Sequence, residues 1–215
     1  MSRISAQHAD PRPSRAVVRI LRIGFKYGTA PVIVGSARRI RKTMLAKLYD
    51  AEADRYELRY GAEQISKVRD ALELVPPRSP VLDAGCGTGI LLRMLGQQSV
   101  GLDISESMLR IAGRGSRSEL VLGDLERMPF RGGSFRTIYS ITVVQLADNL
   151  LRAMSELARV AKDGGMIVIS AHRATETAKI LTSSASAAGL SVISERQPDE
   201  RDLDHIVVCS ARSVN

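Results

Sequence analysis

Cysteine is scarce in this chain, tryptophan is absent, and long apolar runs are missing. The 215 residues include two cysteines, Cys86 and Cys209, which stand in no metal-ligand spacing. This count excludes a disulfide scaffold, predicts no metal site and fits a reducing compartment. No stretch of about 18 residues is uninterruptedly apolar, so we expect no transmembrane helix and a cytoplasmic protein.

Acidic residues are nearly missing from residues 1–50, which hold 11 Lys and Arg but two acids, a net charge of +9. Residues 51–215 hold 20 basic and 21 acidic residues and are nearly neutral. The chain-wide charge of +8 therefore belongs to a basic N-terminal extension, residues 1–50, and not to the domain predicted over residues 51–215.

The basic extension has three interpretations: a solvated cap, a contact with an anionic membrane surface, or a contact with RNA. Apolar residues beside Arg19, Arg22 and Lys26 suit a helix that lies on a membrane. The basic residues of segment 38–42 suit phosphates of either kind, while the few aromatics weaken base stacking. The Arg-rich start also leaves an organellar transit peptide open.

Helical patterns precede an alternation of strands and helices. Residues 1–15 read as a disordered tail, segments 16–27 and 36–48 as short helices, and segment 50–74 as one or two amphipathic helices ended by Pro76-Pro77. Strands are then predicted at 81–84, 100–103, 120–122, 137–143, 166–170, 192–195 and 206–210, with helices at about 90–95, 107–112, 150–160 and 175–188. Asp163-Gly164-Gly165 is expected to end the third of these helices.

This alternation predicts an α/β protein with a doubly wound, mostly parallel sheet and helices on both faces. In such sheets ligands bind beyond the carboxyl ends of the strands. The glycine-rich segment 85–89 follows the first strand, where glycine lets a ligand approach the backbone. It does not match the dinucleotide pattern GxGxxG, because Ile90 or Leu92 occupies the third glycine position.

Acidic residues follow three successive strands. Asp83 precedes the glycines, where a carboxylate would repel a pyrophosphate but suit an ammonium or sulfonium group. Asp103 ends the second strand and can accept hydrogen bonds from both ribose hydroxyls. Asp124 and Leu125 follow the third strand, where they suit an adenine amino group and ring. The set predicts a nucleoside ligand whose other end is cationic.

These segments resemble the class I S-adenosylmethionine-dependent methyltransferases, especially the small-molecule group that includes the ubiquinone and menaquinone C-methyltransferases. The similarity covers about residues 56–211. It is carried by VLDAGCGTG (81–89), VGLDISESML (100–109), LGDLERMPF (122–130), FRTIYS (135–140) and ELARVAKDGGMIVIS (156–170).

The resemblance implies a Rossmann-like sheet of seven strands, with the last strand inserted antiparallel between the fifth and sixth. It also implies S-adenosylmethionine as cofactor, with its methionyl part near Asp83 and the glycines, its ribose on Asp103 and its adenine on Asp124 and Leu125. The predicted cofactor-binding residues are Asp83, Gly85, Cys86, Gly87, Gly89, Asp103, Ile104, Asp124, Leu125 and Ser140.

Candidates for acceptor chemistry are few, because methyl transfer from a sulfonium needs a general base only if the acceptor must lose a proton. His172 follows the fifth strand, and an exposed loop histidine is the alternative interpretation. Gln145 follows the fourth strand and is a candidate for orienting an acceptor, with a simple polar loop residue as the alternative. Tyr60 lies with Tyr56 on a helix that is a candidate cover for the cofactor, and helix packing alone is the alternative explanation. Segment 140–145 is not the Asn/Asp-Pro-Pro-Phe/Tyr motif of amino-group methyltransferases, which disfavours adenine-N6 and glutamine targets.

The sequence therefore predicts methyl transfer to a small-molecule or lipid-like acceptor. Two alternatives stay open: an RNA methyltransferase that uses the basic extension, and a non-catalytic S-adenosylmethionine-binding interaction subunit. The short connections between the last three strands leave no room for a large lid, so the N-terminal segment is expected to cover the acceptor. Peripheral membrane contact through residues 1–50 is a further expectation.

Overall fold

The computed structural model describes residues 42–95, 99–199 and 203–211. The predicted tail and the helix predicted over residues 16–27 lie outside the described residues, as does the first part of the helix predicted over 36–48. The basic segment 38–41 lies outside them too, so its predicted contacts with a membrane or RNA stay predictions.

The described residues form five α-helices and seven β-strands. In chain order these are α1 (Lys42–Leu74), β1 (Val81–Ala84), α2 (Ile90–Leu95), β2 (Val100–Asp103), α3 (Glu106–Ala112), β3 (Glu119–Leu122), β4 (Phe135–Ser140), α4 (Leu150–Val160), β5 (Ala161–His172), α5 (Glu176–Ala187), β6 (Leu190–Arg196) and β7 (Asp204–Ala211). A short 3₁₀ helix, Val144–Leu146, precedes α4.

The seven strands form one sheet in the order β3-β2-β1-β4-β5-β7-β6. Strands β1 to β5 pair in parallel, and β7 pairs antiparallel with both β5 and β6. The predicted doubly wound sheet with an inserted antiparallel last strand is confirmed. Parallel strands β1, β2 and β4 bring their carboxyl ends to one edge, with β1 in the centre.

The central strands are buried on both faces because successive side chains point to opposite sides. Leu82, Ile138 and Ile167 belong to one core cluster, which α4 and α5 cover. Their neighbours Val81 and Tyr139 belong to a second cluster that includes residues of α1 and α2. Short continuous apolar runs, rather than alternating ones, are the sequence signature of such strands.

Two details of the predicted elements differ from the structure. The fourth strand is predicted to continue to Val143, but β4 ends at Ser140 because Thr142 takes a left-handed backbone with φ of 59°. Helix α4 spans residues Leu150–Val160 as predicted, but the expected stop signal Asp163-Gly164-Gly165 does not end it. Those residues lie inside β5, where the pairing with β4 shifts register.

The segment before the sheet is one helix of 33 residues, α1, about 50 Å long. It merges the end of the helix predicted over 36–48 with the helices predicted over 50–74. Because α1 runs without a break across residue 50, the proposed boundary between the extension and the domain falls inside this helix.

We predict that Leu157→Ala in α4 lowers the free energy of unfolding by about 2–5 kcal/mol, because a fully buried leucine leaves a cavity. Leu157 is 0% exposed, whereas Leu58 in α1 is 90% exposed and provides the matched control. Leu58→Ala should change the free energy by less than about 0.5 kcal/mol. Urea unfolding of both variants measures the difference, and equal effects would contradict the packing described for α4.

Candidate functional site

A pocket lies at the carboxyl ends of β1, β2 and β4, beneath α1. Its described wall includes Asp83 and the glycine loop after β1, and the residues after β2, β3 and β4. The residues of α1 that line the pocket are Lys42, Leu45, Tyr49, Tyr56, Gln64 and Val68. The predicted position of the ligand, at this edge of the sheet and under the N-terminal segment, therefore coincides with a pocket.

The glycine loop approaches its neighbours too closely for larger residues. Gly85 has φ of 90°, and a Cβ there would clash with the side chain of Val143. Gly89 has φ of 82°, and its Cβ would lie 2.8 Å from the Cβ of Ala112. Glycine is needed at both positions because positive φ is strained for other residues. The two glycines thus allow the loop to pack closely against Val143 and Ala112.

Asp103 joins the glycine loop to the end of β2. Its Oδ2 accepts a hydrogen bond from the Gly87 N–H at 2.8 Å, and its Oδ1 accepts one from the Ser105 N–H at 2.9 Å. Burial raises the pKa of Asp103, and these backbone donors oppose that rise by stabilising the carboxylate. The residue is therefore a fixed, buried acceptor on the pocket wall.

Asp83 is buried on the same wall. Burial, followed by the negative charge of Asp103, raises the pKa of Asp83 to about 8. A cation placed between the two carboxylates would relieve that cost by favouring the ionised form. The electrostatics of this end of the pocket favour an ammonium or sulfonium ligand and disfavour a phosphate.

Asp124, which follows β3, also lines the pocket. Its Oδ1 accepts the Glu126 N–H at 2.9 Å, and its Oδ2 lies 2.5 Å from the Lys42 Nζ. Lys42 also lies 2.9 Å from Glu126 Oε1. Lys42 was among the basic residues expected to meet phosphates, and in the structure it instead pairs with these two acids. Ile104 and Leu125 line the wall beside them.

Helix α1 is fastened over the pocket by polar contacts. Asp50 Oδ1 accepts the Ser105 hydroxyl at 2.6 Å and the Ser107 N–H at 3.1 Å. The Ser105 hydrogen bond is the main cause that lowers the pKa of Asp50. Tyr56 lines the pocket as the sequence predicts, together with Tyr49. Tyr60 is buried but is not among the lining residues.

Three other predicted residues lie away from the described wall. Ser140 is fully buried and donates its hydroxyl to the Ala84 carbonyl at 3.1 Å. Gln145 accepts the His172 backbone N–H on its Oε1 at 2.7 Å. His172 ends β5 and is 6% exposed, so the interpretation as an exposed loop residue is wrong. None of these three is among the lining residues, and neither is the predicted cofactor-binding residue Gly89.

Sequence reasoning did not find the roles of Lys42, Tyr49 or Asp50. Tyr49 and Asp50 lie seven and eight residues after Lys42 on one helix, which would have shown a shared face. The partners of Lys42 and Asp50, 55 or more residues further along the chain, could not be read from local patterns. Among the described residues, no group of three His, Cys, Asp or Glu is arranged to hold a metal ion.

Residues 82–169 match the family model of a methyltransferase domain. The malonyl-[acyl-carrier protein] O-methyltransferase of Serratia marcescens is 38% identical over 98 residues, which are 44% of this chain and 38% of that protein. The enzyme of the same name from Pectobacterium atrosepticum is 34% identical over 135 residues, 60% of this chain and 53% of that protein. The chain thus spans about half or less of the length of these curated relatives.

Solved structures show the same fold. Magnesium protoporphyrin IX methyltransferase from Synechocystis PCC 6803, with bound S-adenosylmethionine, has a TM-score of 0.65 at 21% identity and covers 83% of this chain and 100% of that chain. A Thermotoga maritima S-adenosylmethionine-dependent methyltransferase has a TM-score of 0.65 at 18% identity, covering 78% of this chain and 100% of that chain. Residues 82–169 thus match a methyltransferase domain, and the seven-stranded sheet has the fold of these solved methyltransferases.

The residues present fit S-adenosylmethionine. On the described wall, the Thr88 Oγ1 and the Gln64 Nε2 are buried without a hydrogen-bond partner among the described residues. Both residues line the same pocket as Asp83, and the amino-acid group of a ligand would supply partners for them. The paired acids Asp83 and Asp103 suit the cationic part of the same ligand.

We predict that the stability of the cofactor-free protein falls between about pH 4 and pH 8 because of Asp83. In the unfolded chain its pKa is the ordinary 3.8, whereas in the folded chain it is about 8, so folding retains a proton across this range. The unfolded state therefore gains relative stability as the pH rises. Asp83→Asn should remove this loss and raise the free energy of unfolding at pH 8 by about 2 kcal/mol or more.

Urea unfolding at pH 5 and pH 8 tests this prediction. The exposed Asp163 in β5 provides the control, since Asp163→Asn should leave the pH dependence of the wild type unchanged. An Asp83→Asn variant with the same pH dependence as the wild type would contradict the burial described for this carboxyl.

Proposed function

We propose that the protein transfers a methyl group from S-adenosylmethionine to a small-molecule or lipid-like acceptor by in-line displacement. The observation that carries this proposal is the placement of Asp83, Asp103 and Asp124 at the ends of three adjacent strands around one pocket. The match of residues 82–169 to a methyltransferase domain supports it.

The chain's own residues bind and orient in this proposal. Asp103 accepts the ribose hydroxyls, Asp83 faces the cationic methionyl part, and Leu125 with Ile104 encloses the adenine. When bound, the cofactor supplies an activated methyl group on its sulfonium. Helix α1 excludes water from the pocket, and orientation with dehydration can account for much of the rate of such a displacement.

We propose that His172 does not act as general base. The His172 Nδ1 accepts the Ala174 N–H at 3.1 Å, so the neutral ring carries its proton on Nε2 and offers no lone pair there. Burial, followed by the charge of Lys67, lowers the pKa of His172 and keeps the ring neutral. The Gln145 Oε1 already accepts a hydrogen bond from the His172 backbone N–H. The proposed acceptor is therefore nucleophilic without assistance from these residues.

The charge of the described wall favours an uncharged acceptor. Four acids line it, and Lys42, the one Lys or Arg among the described lining residues, is paired with two of them. Two relatives named as malonyl-[acyl-carrier protein] O-methyltransferases support oxygen as one candidate methylated atom. The quinone-type acceptor expected from the sequence is uncharged and agrees with the charge of the wall.

The RNA methyltransferase and the non-catalytic subunit remain alternatives without a structural observation in their favour. The basic residues on which the RNA alternative depends lie mostly in segment 1–41, outside the described residues. In the part of the chain that the structure describes, no helix is both long enough and apolar enough to cross a membrane.

We predict that Asp103→Ala weakens S-adenosylmethionine binding about 100-fold or more, because it removes a charged acceptor and frees the Gly87 N–H. Asp103→Asn, which keeps one acceptor oxygen, should lose less affinity. Calorimetry with S-adenosylmethionine and with NAD measures both variants against Asp163→Ala as the exposed control. Unchanged affinity in Asp103→Ala, or tighter binding of NAD by the wild type, would contradict the cofactor assignment.

Transfer of a labelled methyl group to fractionated host extract tests the acceptor class. We expect label in a small-molecule or lipid fraction with wild type and none with Asp103→Ala. Label in RNA would replace the acceptor class proposed here with the RNA alternative. Tight cofactor binding without label in any fraction would favour the interaction subunit.

A further inference from the structure

The loop after β4 contains a strained residue that the proposed chemistry does not explain. Thr142 has φ of 59° and is the one non-glycine residue with positive φ in the described part of the chain. This conformation is a genuine outlier for a β-branched residue and persists only when surrounding contacts impose it. Ile141, Thr142 and Val143 all line the pocket. The strain therefore lies in the pocket wall.

A buried carboxylate holds Thr142 in this conformation. Asp204, the first residue of β7, is 0% exposed, and its Oδ2 accepts the Thr142 hydroxyl at 2.6 Å and the Ser170 hydroxyl at 2.7 Å. The Thr142 N–H donates in turn to the Ser170 Oγ at 2.9 Å. Backbone and side chain of Thr142 are thus both tied to β5 and β7.

The same carboxylate is paired with the covering helix. Lys67 of α1 is 4% exposed, and its Nζ lies 2.9 Å from Asp204 Oδ1 and 2.7 Å from Glu63 Oε1. Its Nζ also donates to the Thr142 Oγ1 at 3.4 Å. Removing charges from water is costly, and a buried pair is weak evidence of stability. A role in fixing geometry accounts better for retaining it.

The neighbours of Lys67 in α1 connect the pair to the pocket. Gln64 and Val68, three residues before and one residue after Lys67, line the same wall as Thr142. On the other side, Val143 packs against Gly85 so closely that the glycine has no room for a Cβ. A displacement of α1 would therefore be transmitted through Asp204 to the loop and to the glycine loop.

We infer that Lys67 is a positioning residue, whose ion pair with Asp204 sets the docking of α1 and the left-handed turn at Thr142 together. Closure of the helix and completion of the wall formed by residues 141–143 are then one event. The kinetic consequence rests on the proposed methyl transfer, whereas the coupling between helix and loop can be measured without any ligand.

Amide hydrogen exchange of the cofactor-free full chain tests the coupling. In Lys67→Met we expect the Thr142 amide to exchange at least tenfold faster than in wild type. Lys179→Met removes the exposed pair with Glu176 and should leave the rate unchanged. Calorimetry should show S-adenosylmethionine bound about tenfold more weakly by Lys67→Met. A folded Lys67→Met with both quantities within twofold of wild type would overturn the inference.

If Lys67→Met does not fold, two variants of Thr142 test the same coupling between helix and loop. Thr142→Val keeps the branched shape and removes the hydroxyl, while Thr142→Ser keeps the hydroxyl. Because coupling is reciprocal, Thr142→Val should raise exchange in residues 64–68 of α1, and Thr142→Ser should restore the wild-type rate. Unchanged exchange in residues 64–68 of Thr142→Val would overturn the inference.

Kinetics separate positioning from simple stability. Once an acceptor is identified, Thr142→Val should lower kcat about tenfold with little change in the KM for S-adenosylmethionine, and Thr142→Ser should recover most of it. Equal losses in both variants would contradict a role for the hydroxyl. If the wild type binds no S-adenosylmethionine, the proposed function fails, while the exchange measurements still decide the coupling.

Discussion

The carboxylate of Asp103 is the constraint on which the pocket depends. It accepts the backbone N–H groups of Gly87 and Ser105, so one side chain joins the loop after β1 to the start of α3. Those donors would otherwise be left without a partner in a buried turn. The same contacts stabilise the negative charge of Asp103 in its buried position, so the pocket wall contains a carboxylate.

Helix α1 covers the pocket whose wall contains Asp103. It contacts three separate parts of the sheet edge: Lys42 reaches the segment after β3, Asp50 reaches the turn after β2, and Lys67 reaches the start of β7. Each contact pairs a charged group of the helix with a polar group beside the pocket. The cover is thus attached at both ends and in the middle, as the proposed exclusion of water from the pocket requires.

Much of the sheet and of the cofactor site is predictable from local patterns. Buried parallel strands are short apolar runs, and an acid or a glycine at the end of each run is visible in the sequence. The turn at Thr142 is harder to predict, because nothing in Ser140-Ile141-Thr142-Val143 signals a left-handed backbone. The sequence pattern therefore predicts a strand that continues through this residue. His172 was equally ambiguous, since its tautomer depends on the backbone N–H of Ala174.

The sequence by itself determined the alternation of strands and helices, the glycine loop, and the three acids proposed to select the methyl donor. These features depend on residues that are close together in the chain. Only the tertiary structure decided how α1 lies over the pocket and why Thr142 is strained. The reason is that Lys42 with Asp124 and Lys67 with Asp204 are ion pairs across large sequence separations, which exist only once the sheet has brought its strand ends together.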